Sequence, residues 1–278
     1  MAYSPPMPSE SDEMVSEEPT TESIYDYPKY YDLLFGSDWR AEYDFLIGCF
    51  ERYAQSTVRT VFEPACGTGR LLIRLADAGL RVAGNDLNER AIAYCNDRLH
   101  RGGHGRPCVV GDMAAFTLAD IGLDEPVDAS FNTINSFRHL GSEGLAAAHL
   151  ECLAEATRPG GLYVLGLHLL PTEGVRTEEE AWTARRGNLQ VNSYMWSEGL
   201  DGRDEVLGMT LDVYTPTSHR RITDQMRYFT WTQDQFESLL DRVGRWEVAA
   251  VHDFAYDPDE PTEIDAETED VVFVLRRR

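Results

Sequence analysis

At 278 residues, with 42% hydrophobic and 10% aromatic content, the chain can bury a sizeable core as one large domain or two small ones. Its formal net charge of −23 rules against a surface built to neutralise phosphates, so neither nucleic acid nor an anionic membrane is an expected partner. The longest apolar run, residues 162–170, contains His168 and falls short of the about 20 residues a membrane span requires.

Residues 1–23 hold six acids, four prolines and no basic residue, which predicts a disordered acidic tail. This opening is unlike a secretory signal, and a cytoplasmic location is expected. Five cysteines (Cys49, Cys66, Cys95, Cys108, Cys152) are odd in number and lack any CxxC pair. They read as idle thiols in a reducing compartment, with neither a disulfide frame nor a metal site expected. His100 and His104 are separated by Gly102 and Gly103, which argues against the helix that would align them on a metal.

Aromatic residues cluster from Tyr25 to Phe35, and 39–53 carries apolar positions at helical spacing, so 24–56 predicts a helical cap. Strand and helix then alternate: strand 58–62, a small-residue loop, helix 71–78, strand 80–84 reaching Asp86, and a helix capped by Asn88. Strand 107–110, strand 127–131, a helix opened by Ser142, a turn at 158–161 and strand 162–167 follow. This alternation predicts an α/β, Rossmann-like, doubly wound core over 57–170, with its strand ends on one ligand-binding edge.

After His168 the pattern changes. An acidic polar stretch at 173–180 precedes three period-two segments near 189–196, 205–214 and 222–231, which predict an antiparallel insertion over the ligand edge (171–231). Thr232 and Gln235 form a capping box for a helix to Val243. Strands at 246–251 and 271–275 complete a mostly parallel, seven-stranded sheet (232–278).

The most informative segment is Glu63, Pro64, Ala65, Cys66, Gly67, Thr68, Gly69 and Arg70, where small residues alternate between a strand and a helix. Small residues let backbone approach a ligand, and the helix start offers free N–H groups. A dinucleotide-binding GxGxxG would need a third glycine where Leu72 stands, which weakens a NAD-dependent oxidoreductase reading. The segment resembles instead the first motif of class I S-adenosylmethionine (SAM)-dependent methyltransferases. The resemblance implies that Glu63, Ala65, Gly67 and Gly69 hold SAM and that Asp86, with Leu87 beside it, grips the ribose hydroxyls. It further implies that Asp112 takes the adenine amino group, with Met113 on the ring, and that Asn132 lies near the methyl group.

The stretch from Asn132 to Leu140 is similar to that following the fourth strand of glycine N-methyltransferases, and Arg40, Ala41, Glu42 and Tyr43 are similar to their Arg-containing helix. That implies a contact from Arg40 to the methionine carboxylate. His168 occupies the place of their substrate-gripping Arg, so glycine is not the expected acceptor. The added strands look more like those of N-methyltransferases acting on amino sugars. Asn132, Asn135, His139 and His168 are the candidate acceptor-side residues, with Tyr31 lining the pocket. Each has a plainer alternative: His139 as a helix cap, His168 as a core histidine, Tyr31 as packing, Arg138 as an ion-pair residue. The expected function is methyl transfer from SAM to a small molecule, nitrogen preferred over oxygen. An O-methyltransferase, a protein methyltransferase and an inactive SAM-binding protein are the remaining alternatives.

Overall fold

The computed structural model describes residues 23–37, 39–174, 176 and 179–278. The acidic tail expected over 1–23 therefore lies, apart from Ser23, outside the described residues. Pro28 opens α1 (Pro28–Phe35), which lies within the stretch 24–56 read as a helical cap, and α2 (Trp39–Tyr53) follows where helical spacing placed it.

The core then runs β1 (Thr60–Pro64), α3 (Leu72–Asp77), β2 (Arg81–Asp86), α4 (Glu89–Arg101), β3 (Cys108–Val110), β4 (Val127–Asn132), α5 (Glu143–Ala156) and β5 (Thr157–His168). The Asn88 side chain accepts from the Ala91 amide at 2.9 Å and that of Ser142 from the Leu145 amide, so both predicted caps form. Residues 158–161, expected as a turn, are instead taken up within β5. Val127 pairs with Thr157 and Ala129 with Leu162, so the intervening residues bulge out of the ladder.

After β5 come β6 (Glu179–Arg186), β7 (Leu189–Asp201), β8 (Asp204–Thr215) and β9 (Ser218–Phe229), then α6 (Gln233–Val243), β10 (Trp246–His252) and β11 (Asp270–Arg277). The seven-stranded sheet has the order β10-β11-β5-β4-β1-β2-β3, with β1 to β5 parallel and β11 antiparallel to both neighbours. The strand order reverses between β1 and β4, which opens a crevice at their carboxyl ends.

Successive side chains on a strand point to opposite faces, and the two cores follow that rule. Phe62, Phe273 and Leu275 pack with α5 and α6 on one face; Val61, Val272 and Val274 pack with α2, α3 and α4 on the other. Strands β6 to β9 form a separate antiparallel sheet of four strands, one more than the alternation predicted. Its inner face packs on Ile24, Leu33 and Leu34 of the amino-terminal segment through Val191, Met209, Leu211 and Ile222. No helix among the described residues is long and apolar enough to cross a membrane.

Candidate active site

The loop after β1 is shaped by backbone that turns left-handed at alternate residues: φ is 51° at Ala65, 50° at Gly67 and 65° at Gly69. Glycine adopts this region freely, whereas Ala65 does so at a cost of about 1–2 kcal/mol. The turn is closed by the Gly69 amide donating to the Cys66 carbonyl at 2.8 Å, and by the Cys66 amide donating to the Asn85 carbonyl at 2.9 Å. A Cβ on Gly69 would come within 2.3 Å of the Cys95 sulfur, so the loop sits directly on α4.

Asp86 ends β2 beside this loop. The Gly67 amide donates to its Oδ2 and the Asn88 amide to its Oδ1, each at 2.8 Å. The carboxylate is thereby fixed in orientation, with one further lone pair on each oxygen to offer outward. Burial raises its pKa, and the two amides pull it back.

Behind the loop lies a buried ionic layer. Both guanidinium nitrogens of Arg70 donate to Glu42, one at 2.6 Å, and Arg70 also reaches Thr133 Oγ1 at 3.2 Å. Burial pushes the Glu63 carboxyl well above its usual range, against the pull of Arg70. Among the described residues Glu63 Oε2 has no hydrogen-bond partner, and neither has Asn132 Oδ1, although Asn132 Nδ2 donates to the Pro64 carbonyl at 2.8 Å. Arg40 does not join this layer. Its side chain is 72% exposed and faces Asp44 at 3.9 Å, so the implied cofactor contact is corrected: the buried arginine here is Arg70.

A cavity of about 700 Å³ opens at the crevice and continues beneath the antiparallel sheet. One end is walled by Tyr31, Ala65, Gly67, Asp86, Leu87 and Met113. Asp112, Glu63, Gly69 and Asn132 do not line it; Asp112 adjoins Gly111 and Met113, and Gly69 adjoins Thr68, which do. The Asp112 carboxylate accepts from the Ala114 amide at 2.8 Å.

The other end is walled by Asn135, Arg138, His139, His168, Glu180, Trp182, Glu205, Tyr228 and Asp270. Asn135 sits at φ 51°, and its Oδ1 accepts from the His168 amide at 2.5 Å. The structure thus joins two residues 33 apart that were singled out separately. His168 Nδ1 donates to Asp270 at 2.9 Å, with Glu269 4.0 Å from Nε2. His139 shares a hydrogen bond with Tyr25 Oη at 3.0 Å, and its ring stands edge-on to Tyr228. Its open face turns into the cavity, where the enclosing protein and Arg138 hold its pKa down at about 4.

Arg138 is buried. It pairs with Glu205, which also takes Arg176 at 2.9 Å and Ser197 at 3.0 Å, and it stacks 4.7 Å over the Tyr228 ring. Sequence reading missed Glu205, Tyr228 and Asp270. Glu205 did leave a signal, as the single acid in phase with Leu207, Met209, Leu211 and Val213 on the inward face of β8.

The two ends are joined through Asp32 of α1, which is 1% exposed. It accepts from Arg98 at 2.6 Å, Tyr94 at 3.2 Å and Arg186 of β6 at 3.3 Å; Arg98 donates in turn to the Thr68 carbonyl at 2.9 Å.

Residues 61–161, which include the loop, Asp86 and the start of β5, match the family described as a methyltransferase domain. That stretch of the chain is similar to a methyltransferase domain. A curated relative, a putative methyltransferase of Bacillus subtilis named YqeM, is 22% identical over 188 residues, covering 66% of this chain and 72% of its own. Among solved structures, the amino pentose methyltransferase CalS10 of Micromonospora echinaspora, bound to SAM, superposes with a TM-score of 0.69 at 20% identity. That superposition covers 93% of this chain and 100% of the other. The sugar N-methyltransferase KedS8 of Streptoalloteichus superposes with a TM-score of 0.67 at 18% identity, covering 100% of this chain and 99% of its own. These likenesses show a shared Rossmann-like fold, with the antiparallel insertion included in the match.

Proposed function

We propose that this protein is a SAM-dependent methyltransferase that methylates an amine nitrogen on a small molecule. The observation that carries the reading is Asp86, a carboxylate locked by two backbone amides at the mouth of an enclosed cavity beside a left-handed small-residue loop. The residues present fit the cofactor. Asp86 can accept from two neighbouring hydroxyls. Leu87, Met113 and Tyr31 offer apolar walls for the nucleoside. When bound, SAM supplies a methyl group already activated by a sulfonium charge.

The chain's own task is then to position a nucleophile and to take its proton. At the far end of the cavity Glu180, Glu205 and Asp270 outnumber Arg138, which is itself paired with Glu205. Such a wall attracts a protonated amine and repels phosphate or carboxylate. Burial, with Asp270 and Glu269 nearby, raises the Glu180 pKa and so improves it as a proton acceptor. Neutral His139 is a second acceptor at the same end. An amino pentose, the acceptor class named for CalS10, combines such an amine with hydroxyls that Asn135 and His168 can bind.

The test is transfer from methyl-labelled SAM to a panel of amino sugars, simple amines and matched hydroxyl compounds. Label on nitrogen is expected. Label on oxygen alone overturns the amine assignment, and absence of SAM binding by calorimetry overturns the whole reading.

A further inference from the structure

The cysteines, scattered in sequence, are not scattered in space. Cys66 of the small-residue loop, Cys95 of α4 and Cys108 of β3 converge so that their three sulfurs lie within 4.8 Å of one another. Cys95 and Cys108 are 3.5 Å apart. All three side chains are buried, at 5%, 0% and 4% exposure, under the loop that walls the proposed donor end of the cavity. Cys66 stands between Ala65 and Gly67, both of which line that cavity.

Three thiols with no fourth donor among the described residues do not suit zinc, which takes four ligands in a structural site. A soft monovalent ion on three thiolates would leave two negative charges in the interior. The ionisable neighbours outside the trio include two acids, Glu63 and Asp86, and the one base among them, Arg98, is already paired with Asp32, so most of that charge would go uncompensated. A trivalent metalloid escapes this penalty. Arsenous acid, As(OH)3, is small and uncharged; it exchanges three As–O bonds for three As–S bonds while each thiol proton leaves on a released hydroxyl as water. Arsenic remains trivalent, no oxidant is needed, and the trithiolate formed is neutral and pyramidal. That shape suits three sulfurs at the separations found here.

We propose that Cys66, Cys95 and Cys108 form a binding site for a trivalent thiophilic metalloid of the arsenite class, and that filling it draws the small-residue loop onto α4 and β3. The first half stands on the sulfur cluster alone. The second rests on the loop's proposed role in holding SAM.

The experiment uses the full chain, kept reduced with a phosphine and titrated with sodium arsenite. X-ray absorption on the loaded wild-type protein should show one arsenic per chain with three sulfur neighbours. Calorimetry should show SAM affinity falling by about tenfold, a difference of 1.4 kcal/mol. Cys95→Ser and Cys108→Ser should lose tight uptake, while Cys49→Ala and Cys152→Ala, which alter thiols outside the cluster, should keep it. Arsenic with fewer than three sulfurs, no retained arsenic, or uptake lost in Cys49→Ala or Cys152→Ala overturns the site. The sulfur count needs no variant to fold. It also stands if SAM fails to bind, so failure of the proposed function and failure of the site are told apart. Three-sulfur arsenic with unchanged SAM affinity overturns the coupling.

Discussion

Under the proposed function, Asp86 is the side chain that holds the methyl donor, and its oxygens are fixed in orientation by two backbone amides. A hydrogen bond to a charged group contributes about 1.5–3 kcal/mol, so Asp86→Ala should weaken SAM binding roughly ten- to a hundredfold in calorimetry. Unchanged affinity would remove the basis of the proposed function. His149 allows a second prediction at this scale. Its Nδ1 faces the Met113 carbonyl, an acceptor only, so Nδ1 carries the proton and Nε2 accepts from Tyr163 Oη. Burial holds its pKa down at about 4, below the about 6.5 of an unfolded chain. Between those values the unfolded chain binds more protons, so this histidine's stabilising share is complete above pH 6.5 and is lost as pH falls toward 4. The midpoint of urea unfolding should drop across that window, and His149→Gln should flatten the drop. Asp86 and the small-residue loop were legible in sequence because strand, loop and acid lie within 27 consecutive residues, Thr60 to Asp86. The Arg70–Glu42 pair was not, because it joins the loop to α2 across 28 residues of chain with no local pattern to mark it.

Among the elements, the doubly wound core was readable from alternating apolar runs and capping residues, each of which reports on its own neighbourhood. Strand β6 was not. Its residues are mostly exposed, with Trp182 and Ala184 alone packing on the amino-terminal cluster, so no apolar alternation marks it within an acidic stretch. The bulge at 158–161 was mistaken for a turn for a related reason, since Pro159, Gly160 and Gly161 serve either purpose and only pairing with β4 decides. One tie between the antiparallel sheet and the core is the buried Arg138–Glu205 pair, whose partners are 67 residues apart. Glu205→Ala would leave Arg138 buried and uncompensated, at an expected cost of about 3–5 kcal/mol in urea unfolding. Adding Arg138→Met should recover part of that loss. If the single variant is as stable as wild type, the sheet is held by its apolar face instead.

For the molecule as a whole, a net charge of −23 means that folding gathers like charges together. Added salt, which shortens the screening length from about 10 Å at 0.1 M ionic strength to about 3 Å at 1 M, should raise the melting temperature at neutral pH. The same screening should lower kcat/KM for cationic acceptors more than for neutral ones; equal sensitivity would argue against electrostatic attraction by the acidic cavity wall. Asp32 bears on how the two ends of that cavity behave together. Through Arg98 it restrains Thr68 in the small-residue loop, and through Arg186 it restrains β6 above the far end. Whatever steadies the loop thereby steadies the roof. Linkage would make such an effect symmetric: a ligand held at either end should tighten binding at the other by one common factor.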